Sequence, residues 1–175
     1  KVIKIDSNNA CRHATISSQS GRFLKRKPTY FMCHLIDADS DWTKSDWFRD
    51  LQDTTCYRLV AIAGIPGSGK STFAKLLSEN LADSIVIPMD GYHLPRRELT
   101  PIQLARRGAP DTFDPRTLKA DLESWKTPRA GSFPAFDHAK KDPEPGAITV
   151  TPSHRIVIVE GLYLFLPNWE ISELF

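Results

Sequence analysis

No apolar run in this 175-residue sequence approaches the roughly 20 residues that a membrane-spanning helix needs. Its apolar runs, such as Leu59 to Ala63 and Ile156 to Val159, are strand-sized, so the chain reads as soluble with no membrane partner. Cysteine is scarce. Cys11, Cys33 and Cys56 show no metal-ligand spacing, and an odd number in a chain of this size is no disulfide framework. A reducing compartment, the cytoplasm, is the matching expectation. An excess of one charge is also missing: 23 Lys and Arg face 21 Asp and Glu, a net of +2. No global field therefore argues for nucleic acid, and any anionic partner has to be recognised locally. Internal repeats are absent, and nothing in the composition speaks to oligomeric state. What is there is 41% hydrophobic residues, enough for one core and one domain.

The chain changes character near residue 55. Before it, Lys1, Lys4, Arg12, Arg22, Lys25, Arg26 and Lys27 are interrupted by a single early acid, Asp6, among scattered Ser and Asn. Residues 1–55 are therefore expected to be a basic, poorly ordered extension. Basic, Ser-containing and acid-poor is also how a mitochondrial transit peptide reads. Two pieces within it have local pattern: Lys1 to Ile5 alternates polar and apolar residues as a strand does. Ser45 can cap a short helix that puts Trp47, Phe48 and Leu51 on one side.

Residues 56–175 carry a different pattern. Leu59 to Ala63 is a continuous apolar run ending at Gly64, as suits a strand buried on both faces of a parallel sheet. Phe73, Leu76, Leu77 and Leu81 form one stripe, so a helix is predicted from Ser71 to Leu81. Ser84 to Met89 reads as a second buried strand and Arg155 to Val159 as a third. Between them, Thr100 to Arg107 suits a short helix with Pro101 in its first turn. Another begins at Asp114, with Pro115 at the first helical position and Leu118, Leu122 and Trp125 on one face. Five prolines and two glycines between 127 and 153 predict loop. Strands alternating with helices specify an α/β fold with a parallel sheet, in which ligands bind beyond the carboxyl ends of the strands.

One motif at such an end carries chemistry. Gly64-Ile65-Pro66-Gly67-Ser68-Gly69-Lys70-Ser71, followed by Thr72, fits the phosphate-loop pattern of Gly, four residues, Gly-Lys-Ser. Glycines let backbone N–H groups close onto phosphate oxygens, and the following helix adds the positive end of its dipole. Lys70 can reach the β- and γ-phosphates of a nucleotide, and the Ser71 hydroxyl can ligate Mg²⁺. Two carboxylates also stand at strand ends, Asp90 after Met89 and Glu160 after Val159. Beside a phosphate loop they read as a Mg²⁺ ligand and a residue that orients an acceptor hydroxyl. Phosphoryl transfer needs little more than positioning and charge neutralisation.

The loop, Met89-Asp90-Gly91-Tyr92-His93, Arg107 to Asp114, Phe136-Asp137-His138 and Val159-Glu160-Gly161-Leu162-Tyr163 together resemble the phosphoribulokinase/uridine kinase superfamily. The Gly108-to-Asp114 segment is similar to that of bacterial-type pantothenate kinase, and other segments resemble a nucleoside or sugar kinase-like branch. The resemblance runs from about Arg58 to the end. It implies a P-loop NTPase three-layer αβα sandwich and transfer of the γ-phosphoryl group of ATP to a hydroxyl of a nucleoside, pantothenate or sugar-like acceptor. It further implies ATP and Mg²⁺ at Lys70 and Ser71, Asp90 as catalytic base and Glu160 near the metal. Tyr92, His93, Phe136, Asp137 and His138 would then line the acceptor pocket. Members of that superfamily continue beyond the Glu-Gly strand with further strands and an arginine-bearing lid. The resemblance thus implies a fold incomplete at its C-terminus, an open edge on the Leu59–Ala63 strand, and self-association through it. A hydrolase that uses water as acceptor and a nucleotide-binding but inactive fragment are the alternative readings.

Overall fold

A computed structural model of the protein describes residues 2–5, 41–53 and 57–175, the first of these by backbone alone. The cysteines and the basic residues Arg12, Arg22, Lys25, Arg26 and Lys27 lie outside the described residues. In chain order the elements are β1 (Val2–Ile5), α1 (Asp46–Leu51), β2 (Arg58–Ala63), α2 (Lys70–Glu79) and β3 (Ser84–Pro88). Then come α3 (Pro101–Ala105), α4 (Pro115–Trp125), β4 (Gly131–Asp137), β5 (Asp142–Val150) and β6 (Ile156–Gly161).

The apolar strands form the middle of a sheet ordered β1-β2-β6-β3, with β6 parallel to both β2 and β3. Alternation along each strand splits their side chains between two cores. Leu59, Ala61, Val157 and Val159 meet Leu118, Leu122 and Trp125 of α4 on one face. Val60, Ile62, Ile156 and Ile158 meet Phe73, Ala74 and Leu77 of α2 and Trp47, Phe48 and Leu51 of α1 on the other. The result is a three-layer αβα arrangement.

Local signals set the helix starts. Asp114 accepts from Thr117 N at 3.1 Å ahead of Pro115, and Thr100 with Gln103 forms a capping box on α3. Ser45 caps α1, accepting from Phe48 N at 3.3 Å. With 6 residues, α1 is far below the ~12–15 that sustain an isolated helix. Its three buried side chains, each contributing about 1.5–3 kcal/mol, hold it in place.

Two expectations need correction. Residues 127–153 are not loop: β4 and β5 pair antiparallel as a ribbon. A two-stranded ribbon has only edge strands, so prolines that cannot donate are tolerated. Pro134 sits at the break in register between Phe133 and Ala135, while Phe133 and Val150 anchor the ribbon in the core. The edge of β2 is also not open. β1 pairs antiparallel along it, from Val2 opposite Ala63 to Ile5 opposite Val60. Residues 2–5 and α1, both within the span assigned to the N-terminal extension, are thus part of the sheet and the core.

Candidate functional site

The strand register builds the site. Glu160 lies between Ile62 of β2 and Pro88 of β3, so the chain leaving β2 at Gly64 and the chain leaving β3 at Asp90 flank it. Beyond β2, Gly67 and Gly69 have φ of +74° and +75°, a left-handed backbone that glycine adopts without strain. Gly69 is the N-cap of α2 and supplies no capping side chain. The first-turn N–H groups of α2 are therefore left for a ligand. Lys70 and Ser71 open the helix, and Ser71 Oγ donates to Glu160 Oε1 at 3.1 Å.

Glu160 is 5% exposed, and its Oε2 has no hydrogen-bond partner. Burial pushes its carboxyl above the usual range. The Ser71 hydrogen bond pulls it down, the Asp90 charge raises it further, and Lys70 lowers it. A buried carboxylate oxygen without a partner, beside a hydroxyl and the phosphate-loop lysine, fits a cation. No cluster of three His, Cys, Asp or Glu able to hold a metal occurs among the described residues. Mg²⁺ does not need one, because it is commonly held by one or two protein groups together with water and substrate phosphates.

Asp90 opens onto a cleft of about 500 Å³. Its floor is aromatic: the His93 ring lies 3.9 Å from Phe113 and 4.9 Å from Phe136 between centroids, and His138 is 5.2 Å from Phe136. His93 Nδ1 is 2.9 Å from the Asp90 carbonyl oxygen. A carbonyl only accepts, so Nδ1 carries the proton and, in the neutral ring, Nε2 keeps a free lone pair. Burial holds the His93 pKa below the ordinary imidazole value. The Asp90 carbonyl and charge oppose that shift, and Arg107 adds to it. Gly91 presses against the ribbon so closely that a Cβ there would meet the Pro134 carbonyl oxygen. That approach sets Phe136 and His138 opposite Asp90.

No protein-family model matches the chain. A Schizosaccharomyces pombe protein named, provisionally, as a uridine kinase is 42% identical over 126 residues, spanning 63% of this chain and 54% of that protein. The ATP-dependent kinase YFH7 of Lachancea thermotolerans is 34% identical over 180 residues, spanning 79% of this chain and 51% of the relative. A Silicibacter sp. crystal structure, provisionally named a fructose transport system kinase, superposes with a TM-score of 0.62 at 37% identity. That match covers 67% of this chain and 60% of the other. This chain is a homologue of the uridine kinase-like P-loop kinases. It spans about half the length of the curated relatives it matches.

In this kinase homologue the structure brings together Lys70, Ser71, Asp90 and Glu160 at one end, and His93, Phe136 and His138 in the cleft. Tyr92 and Asp137 stand apart from it. Tyr92 is 4% exposed and donates to Asp121 Oδ2 at 2.9 Å, so it ties the Asp90 turn to α4. Burial, with the Asp121 carboxylate beside it, pushes its hydroxyl above the usual phenol range. Asp137 Oδ1 accepts from Ala139 N and Lys140 N at 2.8 and 3.0 Å, closing the turn between β4 and β5. Leu104 and Lys141 line the cleft without having been singled out from sequence. The structure separates four nearby arginines. Arg97 and Arg106 pair with Glu98 and Asp111 at the surface, whereas Arg96 and Arg107 face the cleft.

Proposed function

We propose that this chain carries the phosphate-binding and acceptor-binding part of an ATP-dependent small-molecule kinase. The observation that carries the reading is the convergence at three parallel strand ends. There a phosphate loop whose Ser71 touches the orphaned carboxylate of Glu160 stands next to Asp90, and Asp90 opens onto an aromatic cleft.

In this reading the first-turn N–H groups of α2 and the Lys70 ammonium bind the β- and γ-phosphates of ATP. Ser71 and Glu160 would hold Mg²⁺, which supplies neutralisation of phosphate charge. Asp90 accepts a hydrogen bond from the acceptor hydroxyl and aligns its oxygen with the γ-phosphorus. The bond from the γ-phosphorus to the bridging oxygen breaks, a bond to the acceptor oxygen forms, ADP leaves, and the hydroxyl proton passes to Asp90. Neutral His93 accepts through Nε2 from a second acceptor hydroxyl, and Phe136 covers the apolar part of the molecule. His138 closes the side of the cleft. The names of the relatives, uridine kinase and fructose transport system kinase, fit hydroxyl-bearing acceptors.

Incubation with ATP, Mg²⁺ and a panel of nucleosides, sugars and hydroxy acids, followed by product analysis, tests the reading. A phosphorylated acceptor with stoichiometric ADP is expected. Free phosphate without phosphorylated product would make the protein a hydrolase, and neither product would make it an inactive nucleotide binder.

A further inference from the structure

We infer that the acceptor carries an anionic group, a carboxylate or a phosphate, held by Arg96 and Lys141 beside the fixed charge of Arg107; the inference rests on the kinase reading above. The cleft has two electrically different ends. Its acid, Asp90, stands at the reaction end. From Asp90 a continuous set of contacts leads through His93 to Phe136 and on to Arg107, whose guanidinium carbon is 5.3 Å from the Phe136 ring centroid. Arg107 Nη2 donates to Asp142 Oδ1 at 3.1 Å and Nη1 to the Lys141 carbonyl at 2.5 Å. The same Asp142 oxygen accepts from the Arg96 backbone N at 2.8 Å. Asp142 and the Lys141 carbonyl thereby fix the Arg107 side chain beside the backbones of Arg96 and Lys141, and all three residues line the cleft.

One carboxylate does not balance three cations. Asp142 is spent on Arg107, and no acidic side chain of the described residues lies within ion-pair distance of the Arg96 guanidinium or Lys141 Nζ. Arg107 Nε is buried without a partner. Like charges lining one cleft repel one another even with Arg96 and Lys141 exposed to water, and an anion in their midst relieves that cost. The neighbouring Arg97 and Arg106 are each neutralised by an adjacent acid outside the cleft. The surplus is therefore confined to the cleft. The Arg107 Nη groups are held by Asp142 and by the Leu94 and Lys141 carbonyls, so Arg107 contributes a fixed positive charge to the wall, while the exposed Arg96 guanidinium offers a planar fork suited to a carboxylate or phosphate and Lys141 a mobile point charge. With the apolar wall of Phe136 and Leu104 in between, the matching molecule presents its hydroxyl at Asp90 and its anion at the Arg96–Lys141 end.

Calorimetry on protein presaturated with ADP and Mg²⁺, which keeps the phosphate loop filled, tests this with four probes. Ribose 5-phosphate and gluconate are anionic, whereas ribose and uridine are not. At least one anionic probe is expected to bind more tightly than both neutral ones, and which of the two does so separates phosphate from carboxylate. The exposed pair Arg96→Gln and Lys141→Gln together should weaken that binding about tenfold or more, since hydrogen bonds between charged partners are at stake. Raising salt from low to high concentration should weaken it in the unmodified protein as well, a readout that needs no variant. Neutral probes binding as tightly as anionic ones, anion binding indifferent to both the variant and salt, or no anion binding would each overturn the inference alone. Failure of ADP itself to bind would sink the kinase reading, and this inference with it.

Discussion

Glu160→Gln is expected to stabilise the metal-free protein at neutral pH, even though Glu160 is proposed to hold Mg²⁺. The carboxylate is 5% exposed, and only Oε1 has a partner, the Ser71 hydroxyl. The net effect of its surroundings is to raise its pKa, so desolvation outweighs the help of Ser71 and Lys70. A buried polar group left unsatisfied costs about 1–3 kcal/mol. The amide keeps the shape and can still accept from Ser71, but it carries no charge to desolvate. A gain of about 1–2 kcal/mol is the working figure, or roughly 2–8 °C in Tm for a chain of this size.

The pH dependence has a definite sign. A carboxyl whose folded pKa is raised holds its proton better in the folded state. The wild-type protein therefore loses stability as pH rises from the ordinary carboxylate range through the raised folded value. The Gln variant lacks that loss. The gap between the two should be widest at pH 7.5 and close as pH falls to the ordinary carboxylate range. With Mg²⁺ and ATP the order should reverse, because the wild type, which keeps the metal-holding carboxylate, gains more binding energy there. Chemical denaturation at several pH values, with and without Mg²⁺ and ATP, measures all of this. A variant less stable than wild type at neutral pH without metal, or a gap that ignores pH, would refute the reasoning.

Other perturbations test the remaining parts. Lys70→Ala should abolish ATP-dependent product formation while leaving the circular dichroism spectrum unchanged, and turnover at the wild-type rate would remove Lys70 from the phosphate site. Asp90→Asn should still bind ATP in calorimetry but transfer no phosphoryl group, because the amide cannot take the hydroxyl proton; lost ATP affinity would assign Asp90 to the metal instead. Gly91→Ala puts a methyl against the Pro134 carbonyl and should cost about 1–3 kcal/mol in denaturation, with no change at all sinking the close approach. Removing residues 1–6 strips β1 from β2 and should increase self-association in sedimentation relative to the intact chain. A monomer after the deletion would mean that β1 does not protect the edge.

Much of the phosphate end was legible without coordinates. Gly67, Gly69, Lys70 and Ser71 act through backbone geometry over a few residues, and the buried strand before them and the amphipathic helix after them are equally local patterns. The cleft beside Asp90 was legible only in part. His93, Phe136 and His138 line it, but Tyr92 turns inward to Asp121 and Asp137 is used by its own turn. A side chain adjacent to a site residue in sequence points elsewhere whenever the backbone bends between them, as it does in the turn after Asp90. The ribbon of β4 and β5 was hidden because proline density reads as loop, and only pairing across distant residues shows that a two-stranded edge tolerates it.

By itself, the sequence determined the phosphate loop, the three apolar strands and the helices α1, α2 and α4, because each rests on interactions within about a dozen residues. Tertiary structure alone decided that Glu160 sits between the chains leading to Lys70 and Asp90, since strand register comes from packing two cores on one sheet. It also decided that β1 covers β2, and that Arg96, Arg107 and Lys141 share one end of a cleft around Asp142 while Arg97 and Arg106 do not. Charges close together in sequence look alike in composition, and only the folded chain separates those paired with an acid at the surface from those that line the cleft.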